Sequence, residues 1–373
     1  MWSRKRLVVV GAATLVVLII GAGVFAYVVA GLRLQVTASR TTPSPSASSN
    51  PSSTARPTPT PVAYTPPPLG CASTTILPAS QPDPNDPLPR NSAALAYDAV
   101  RKQLVLFGGD SGIGGVLNDT WVWNGSRWRV QAPMNSPPPR AYAQMTFDAA
   151  HDAVVLFGGN PANPWNDTWT WDGSNWTEHY PAVRPPAAYE ASMAYDESLR
   201  QVVLLAQPAG AAPGTAPQTW AWDGVTWHQL PTSHSPRNQS PAMAYDPVTK
   251  QMVLFDTQST WTFDSVDWTQ APGQGPSQSS LPTMAYDAAT KSVVLFNDGG
   301  SGATWTWDGS AWTQRCPPNA PPRLSSTGPH AAMAYDADAG VVVVFGGAGA
   351  TSLASNATWI WDGTNWAQWH AKP

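Results

Sequence analysis

Along the 373 residues, hydrophobic and polar positions fall into three regimes. Leu7 to Leu32 (LVVVGAATLVVLIIGAGVFAYVVAGL) is apolar and uncharged throughout, and residues 33–89 are dominated by Pro, Ser and Thr. From residue 90 onward, short apolar runs alternate with turn residues at a regular period. An aromatic-Asp pair marks it, at Tyr97, Phe147, Tyr195, Tyr245, Tyr286 and Tyr335, with spacings of 50, 48, 50, 41 and 49 residues. Self-similarity of that length is the sequence sign of propeller blades.

Each repeat predicts four strands. The first is a small, apolar run ending at the aromatic-Asp pair, as in Ala242-Met243-Ala244-Tyr245-Asp246, where Ala suits crowding around a central channel. The second is a continuous apolar run such as Val154-Val155-Leu156-Phe157, whose lack of alternation fits a strand covered on both faces. The third is Thr-Trp-x-Trp, which sets two indoles on one face. An Asp-Gly turn follows (Asp172-Gly173, Asp223-Gly224, Asp308-Gly309, Asp362-Gly363), supplying the positive φ that a tight hairpin needs. The fourth begins at a third Trp (Trp128, Trp176, Trp227, Trp268, Trp312, Trp366) and runs into Pro-rich chain. The fold class predicted is all-β: a six-bladed propeller over residues 90–373, with blades at about 90–139, 140–187, 188–236, 237–280, 281–328 and 329–373. Ser73 to Pro78 (STTILP) is the segment expected to latch blade six to blade one.

The run over 7–32 exceeds the roughly 20 residues that a membrane-crossing helix needs. Arg4, Lys5 and Arg6 precede it and Arg33 follows alone, which predicts a cytoplasmic tip at 1–6, a transmembrane helix at 7–32 and an exported remainder. A secreted protein released after cleavage near Ala30 is the alternative, although signal-peptide cores are shorter. Residues 33–89 read as a disordered stalk that cannot bury a core; in polyproline geometry, some 30 of its residues would span roughly 90 Å.

Composition sharpens this picture. Twenty Trp, 39 Pro and 29 Gly against 12% charged residues disfavour helical bundles. All 24 acidic residues lie beyond residue 80, and the chain after Arg40 is net acidic, so nucleic acid is not an expected partner. Cys71 and Cys316 match no metal-binding spacing; in an oxidising compartment they are expected either to join as a disulfide or to stay as two buried thiols. No metal or cofactor is implied.

The repeat resembles the kelch repeat in its bacterial extracellular form, through the pairs Gly108-Gly109, Gly158-Gly159 and Gly346-Gly347, the third- and fourth-strand Trp, and the Pro-x-Arg-like approaches to the first strand. Blades three and four lack the glycine pair (Leu205-Ala206-Gln207 and Phe255-Asp256-Thr257), so their loops are expected to bend differently. Seventeen of the 20 Trp occupy template positions and are therefore architecture; Trp165, in a blade-two loop, stands outside the template and is a candidate contact for a ligand.

Variable loops on a rigid scaffold usually carry function. Here they lie between the second and third strands and between blades, on the face that should also display Arg90, Arg140, Arg184, Arg237 and Arg323. The kelch resemblance implies that such arginines bind acidic partner segments; the competing reading pairs them with nearby Asp or with carbonyls between blades. The Asp of each aromatic-Asp pair is expected to bind backbone amides of its own hairpin. Among enzymes, the resemblance brings galactose-oxidase-like copper radical oxidases and sialidase-like propellers to mind, but neither finds its residues. The chain is thus expected to be a cell-surface binding module for an unnamed protein or glycan, with an enzyme of those two types or a purely structural role as alternatives.

Overall fold

The computed structural model describes residues 86–369 apart from 113–114, 161, 189–190, 213, 238–240, 274, 277–281, 298–302, 322–330 and 348–353, together with 16–20, 23–27 and 75–76. The expected membrane helix and stalk otherwise lie outside the described residues. Within the former, Val16–Ile20 and Gly23–Tyr27 pair as two antiparallel strands. Among the described residues no helix is long and apolar enough to cross a membrane.

Six four-stranded antiparallel sheets follow one another along the chain, each built from consecutive strands. The first comprises Ala94–Asp98, Gln103–Asp110, Val116–Trp123 and Trp128–Gln131; the last comprises Ala331–Asp336, Val341–Gly346, Thr358–Trp361 and Trp366–Gln368. The protein is an all-β, six-bladed propeller. The second strands are buried on both faces, as their unbroken apolar runs predict: Leu104, Val105, Leu106, Val202, Val203, Leu204 and Leu205 are all 0% exposed.

The indoles decide how blades join. The three aromatic template positions of each blade pack against the preceding blade. Trp169, Trp171 and Trp176 of blade two thus share a core with Ala94, Ala96, Val105, Phe107 and Val122 of blade one. A hydrogen bond repeats at every seam. The fourth-strand indole Nε1 donates to the Thr of the preceding blade's Thr-Trp pair: Trp176 to Thr120 (2.9 Å), Trp227 to Thr168 (2.8 Å), Trp268 to Thr219 (2.8 Å), Trp312 to Thr260 (2.7 Å) and Trp366 to Thr304 (2.8 Å). Four of these indoles also meet a second-strand Phe of the preceding blade edge-on or tilted, as Trp176 does with Phe107 at 5.2 Å between ring centres; Trp268 finds Leu205 in that strand instead. Truncating a buried Trp typically costs about 3–5 kcal/mol, so these rows dominate the adhesion between blades.

The ring closes by repeating this interface rather than by exchanging a strand. Leu95, Leu104, Leu106, Trp123 and Trp128 of blade one pack on Ala332, Ala334, Val343 and Phe345 of blade six. Gly347 N donates to Arg90 O at 3.0 Å, as Gly109 N does to Arg140 O (2.9 Å) and Gly159 N to Ala188 O (3.1 Å). A Cβ on Gly108, Gly158 or Gly346 would strike the same linker carbonyls, which is why the template keeps a glycine pair here.

The predicted latch is corrected. Thr75–Ile76 pairs in parallel with Asn319–Ala320, in the linker between blades five and six, and does not bridge blade six to blade one. That linker is itself tied to blade six, where Asn319 N donates to Asn365 Oδ1 at 2.9 Å.

Candidate binding face at the channel mouth

In each blade the start of the first strand lies beside the end of the second and the start of the third, as Ala94, Phe107 and Thr120 do in blade one. The inter-blade linkers, the loops between second and third strands and one mouth of the central channel therefore share a face. At the opposite end sit the hairpin turns.

Of the four recurrent arginines among the described residues, two are buried in ion pairs. Arg90 and Arg140 are 0% and 1% exposed. Arg90 grips Asp119 with two bonds (2.6 and 2.8 Å), and its remaining donors reach Gly108 O and Leu88 O. Arg140 grips Asp167 in the same way (2.8 and 2.7 Å), with Gly158 O and Pro138 O as further acceptors. Each carboxylate also accepts from the first third-strand indole, Trp121 to Asp119 at 2.6 Å and Trp169 to Asp167 at 2.8 Å. Burial opposes ionisation of Asp119, but the hydrogen bonds and charge of Arg90, with help from Trp121, hold its carboxyl below the usual range. With four of five N–H donors bonded and almost no surface exposed, each of these guanidiniums knits linker to blade.

Arg184 falls out of register with them. The residue whose carbonyl meets the preceding blade's glycine in blade three is Ala188, four positions further on, and Arg184 is exposed. Arg237 is exposed too; its backbone N, not its side chain, is tied to Asp256. Arg323 lies outside the described residues. Trp165 is half-buried and lies against Arg140, whose guanidinium carbon stands 4.3 Å from the ring centre. It covers the buried ion pair, a cation–π contact that favours Arg over Lys.

Blade four shows how the motif changes without a glycine pair. Asp256 Oδ1 accepts from Gln258 N and Ser259 N to make a short turn, while Oδ2 takes the indole of Trp261 at 3.0 Å. Asn-Asp-Thr-Trp occurs in blades one and two alone, and its Asp is the carboxylate of both Arg–Asp pairs.

Asp98, Asp148, Asp196, Asp246, Asp287 and Asp336 are buried at the hairpin end and accept backbone amides of their own turns, as Asp196 Oδ1 does from Ser198 and Leu199. The neighbouring tyrosines have raised pKa values, chiefly through burial and then through the preceding blade's Asp, such as Asp336 beside Tyr97 and Asp287 beside Tyr335. These phenols stay protonated in neutral solution. Among the described residues no cluster of His, Cys, Asp and Glu is arranged to hold a metal ion. Cys316 is disulfide-bonded, and Cys71 lies outside the described residues.

What opens on the loop-bearing face is a cavity of about 150 Å³ in the channel mouth, lined by the first strands of all six blades. Its apolar wall is Leu95, Met145, Met193, Met243, Met284 and Met333, the residues three before each template Asp. The position four before that Asp is Ala in blades one, four and six (Ala94, Ala242, Ala332) but Gln144, Ser192 and Thr283 in blades two, three and five, all lining the cavity. Sequence reasoning passed over these; their signal was a departure from Ala in the one strand where the template is small.

No family model matches the chain, and no curated protein matches it. Among solved structures, that of YjhT superposes with a TM-score of 0.55 at 12% sequence identity, over 77% of this chain and 99% of that one, a likeness of propeller fold.

Proposed function

We propose that this protein is a kelch-type propeller displayed outside the cell membrane by residues 7–32 and their stalk, where it binds a protein or glycan through the loop-bearing face. The observation that carries the reading is the cavity at the channel mouth, on the face that also bears the loops of unequal length such as 207–217 in blade three. Recurrent residues elsewhere are consumed by blade packing, whereas this face departs from the template.

Export is supported by the disulfide at Cys316, since such bonds persist in oxidising compartments. With two cysteines in the chain, its partner in this proposal is Cys71. The parallel register of Thr75 with Asn319 favours that pairing, because four residues back from Thr75 and three back from Asn319 stand the two cysteines.

Glycan and protein arrays probed with the full chain in detergent provide the test. Saturable capture that is lost when the 207–217 loop is shortened is the expected result. A chain that is folded yet captures nothing would overturn the binding role.

A further inference from the structure

The polar residues of the channel mouth say which chemistry it receives. Ser92 occupies the position six before the template Asp of blade one, and Tyr142 holds the same place in blade two. Both adopt left-handed backbone, with φ of 51° and 63°, a region that side chains other than Asn, Asp and Gly seldom enter. The strain joins the two blades, since Tyr142 N donates to Ser92 O at 2.9 Å. Ser92 is 3% exposed and lines the cavity, yet its Oγ makes no hydrogen bond within the protein, and neither does Oδ1 of the adjoining Asn91. Buried polar atoms are nearly always paired, so the Ser92 hydroxyl, on a residue that borders the cavity, still lacks a partner.

Gln144, Ser192 and Thr283 stand around the same space, in places where the other three blades keep Ala. Amide and hydroxyl groups exchange hydrogen bonds with hydroxyls in both senses. One residue further along the same strands, five thioethers and Leu95 ring the channel with a pliable apolar surface suited to a C–H face. No residue lining the described cavity is charged. We infer that the channel mouth is a subsite for one uncharged sugar ring, with Ser92, Gln144, Ser192 and Thr283 bonding its hydroxyls and the methionine wall meeting its apolar face. This rests on the reading of the loop-bearing face as a binding surface and names the ligand class for its centre.

The test is direct binding of single sugars to the full chain in detergent, by calorimetry or saturation-transfer NMR, using glucose, galactose and N-acetylglucosamine against glucuronic acid and glucosamine. At least one uncharged sugar is expected to bind in preference to its acid and amine relatives. Its affinity should fall at least tenfold in the Gln144→Ala/Thr283→Ala variant, which restores the template residue of three blades and so keeps the melting temperature. Ser92→Ala should weaken the same sugar without loss of stability, because its Oγ has no partner in the protein to lose. Equal binding by wild type and variants, preference for the acid or amine, or no binding of any single sugar would each overturn the subsite. If an array ligand is still captured by the double variant in those cases, the face binds but its centre does not take a sugar; if wild type captures nothing on the arrays either, the binding role itself fails.

Discussion

The indole Nε1 of Trp128 donates a hydrogen bond of 3.0 Å to Thr358 Oγ1, joining residues 230 positions apart. It is the same bond that unites every other pair of neighbouring blades, made here between the chain's first blade and its last. Closure therefore needs no borrowed strand: the interface that stacks one repeat on the next is used once more, and the ring is complete.

Thr358→Val keeps the shape of the seam but leaves the Trp128 N–H buried without an acceptor, which costs about 1–3 kcal/mol. Thr168→Val at the seam between blades two and three should cost a similar amount. Urea denaturation of both checks this, and a ring-closing variant with no loss while Thr168→Val loses stability would mean that the first and last blades are not sealed.

Arg140→Ala is expected to destabilise by about 3–5 kcal/mol, since it strands a partly buried Asp167. Adding Asp167→Asn should recover part of that loss. Arg184→Ala, at an exposed position outside the register, should stay within about 0.5 kcal/mol of wild type. Comparable losses at Arg140 and Arg184 would contradict the assigned roles.

Reducing the disulfide at Cys316 should release the Thr75–Ile76 pairing and lower stability by about 2–4 kcal/mol. Cys71→Ser and Cys316→Ser should give the same melting temperature as each other and as the reduced wild type. A Cys71→Ser variant that melts like oxidised wild type would separate Cys71 from the bond.

Asp267 ties the linker from blade three to the turn of blade four, accepting from Ser233 N (2.9 Å) and His234 N (3.0 Å) and pairing with His234 Nδ1 (2.9 Å). The amide and imidazole of His234 draw its carboxyl down from 3.8 to about 2. A carboxyl lower in the folded than in the unfolded chain contributes stability above the unfolded value, and that contribution disappears as pH falls from about 4 through about 2. Denaturation midpoints over this range should therefore drop less steeply in Asp267→Asn than in wild type. Parallel acid limbs would show that the pair adds nothing.

The blade template was legible because a strand's burial is written in its own residues: an unbroken apolar run can only be covered on both faces, and an Asp-Gly after Trp-x-Trp can only turn. Blade number followed from counting six aromatic-Asp pairs. The chain also showed which blades differ, since the loss of the glycine pair in blade four coincides with the Asp256 turn.

What the order of residues left open was which polar groups would meet. Arg90 and Arg140 were open to two readings, as cations facing a ligand or as buried partners, because a local pattern does not reveal whether a guanidinium ends beside water or beside a carboxylate 29 or 27 positions away. Arg184 looked equivalent to them until the backbone hydrogen bonds put Ala188 in that place. Gln144, Ser192 and Thr283 lie in three different blades, and only closure of the ring gathers them around one cavity. Local periodicity is enough to specify each blade, since a strand's neighbours within the sheet are close in sequence; a site shared by six blades is set by contacts across the whole chain, and those the tertiary structure alone decides.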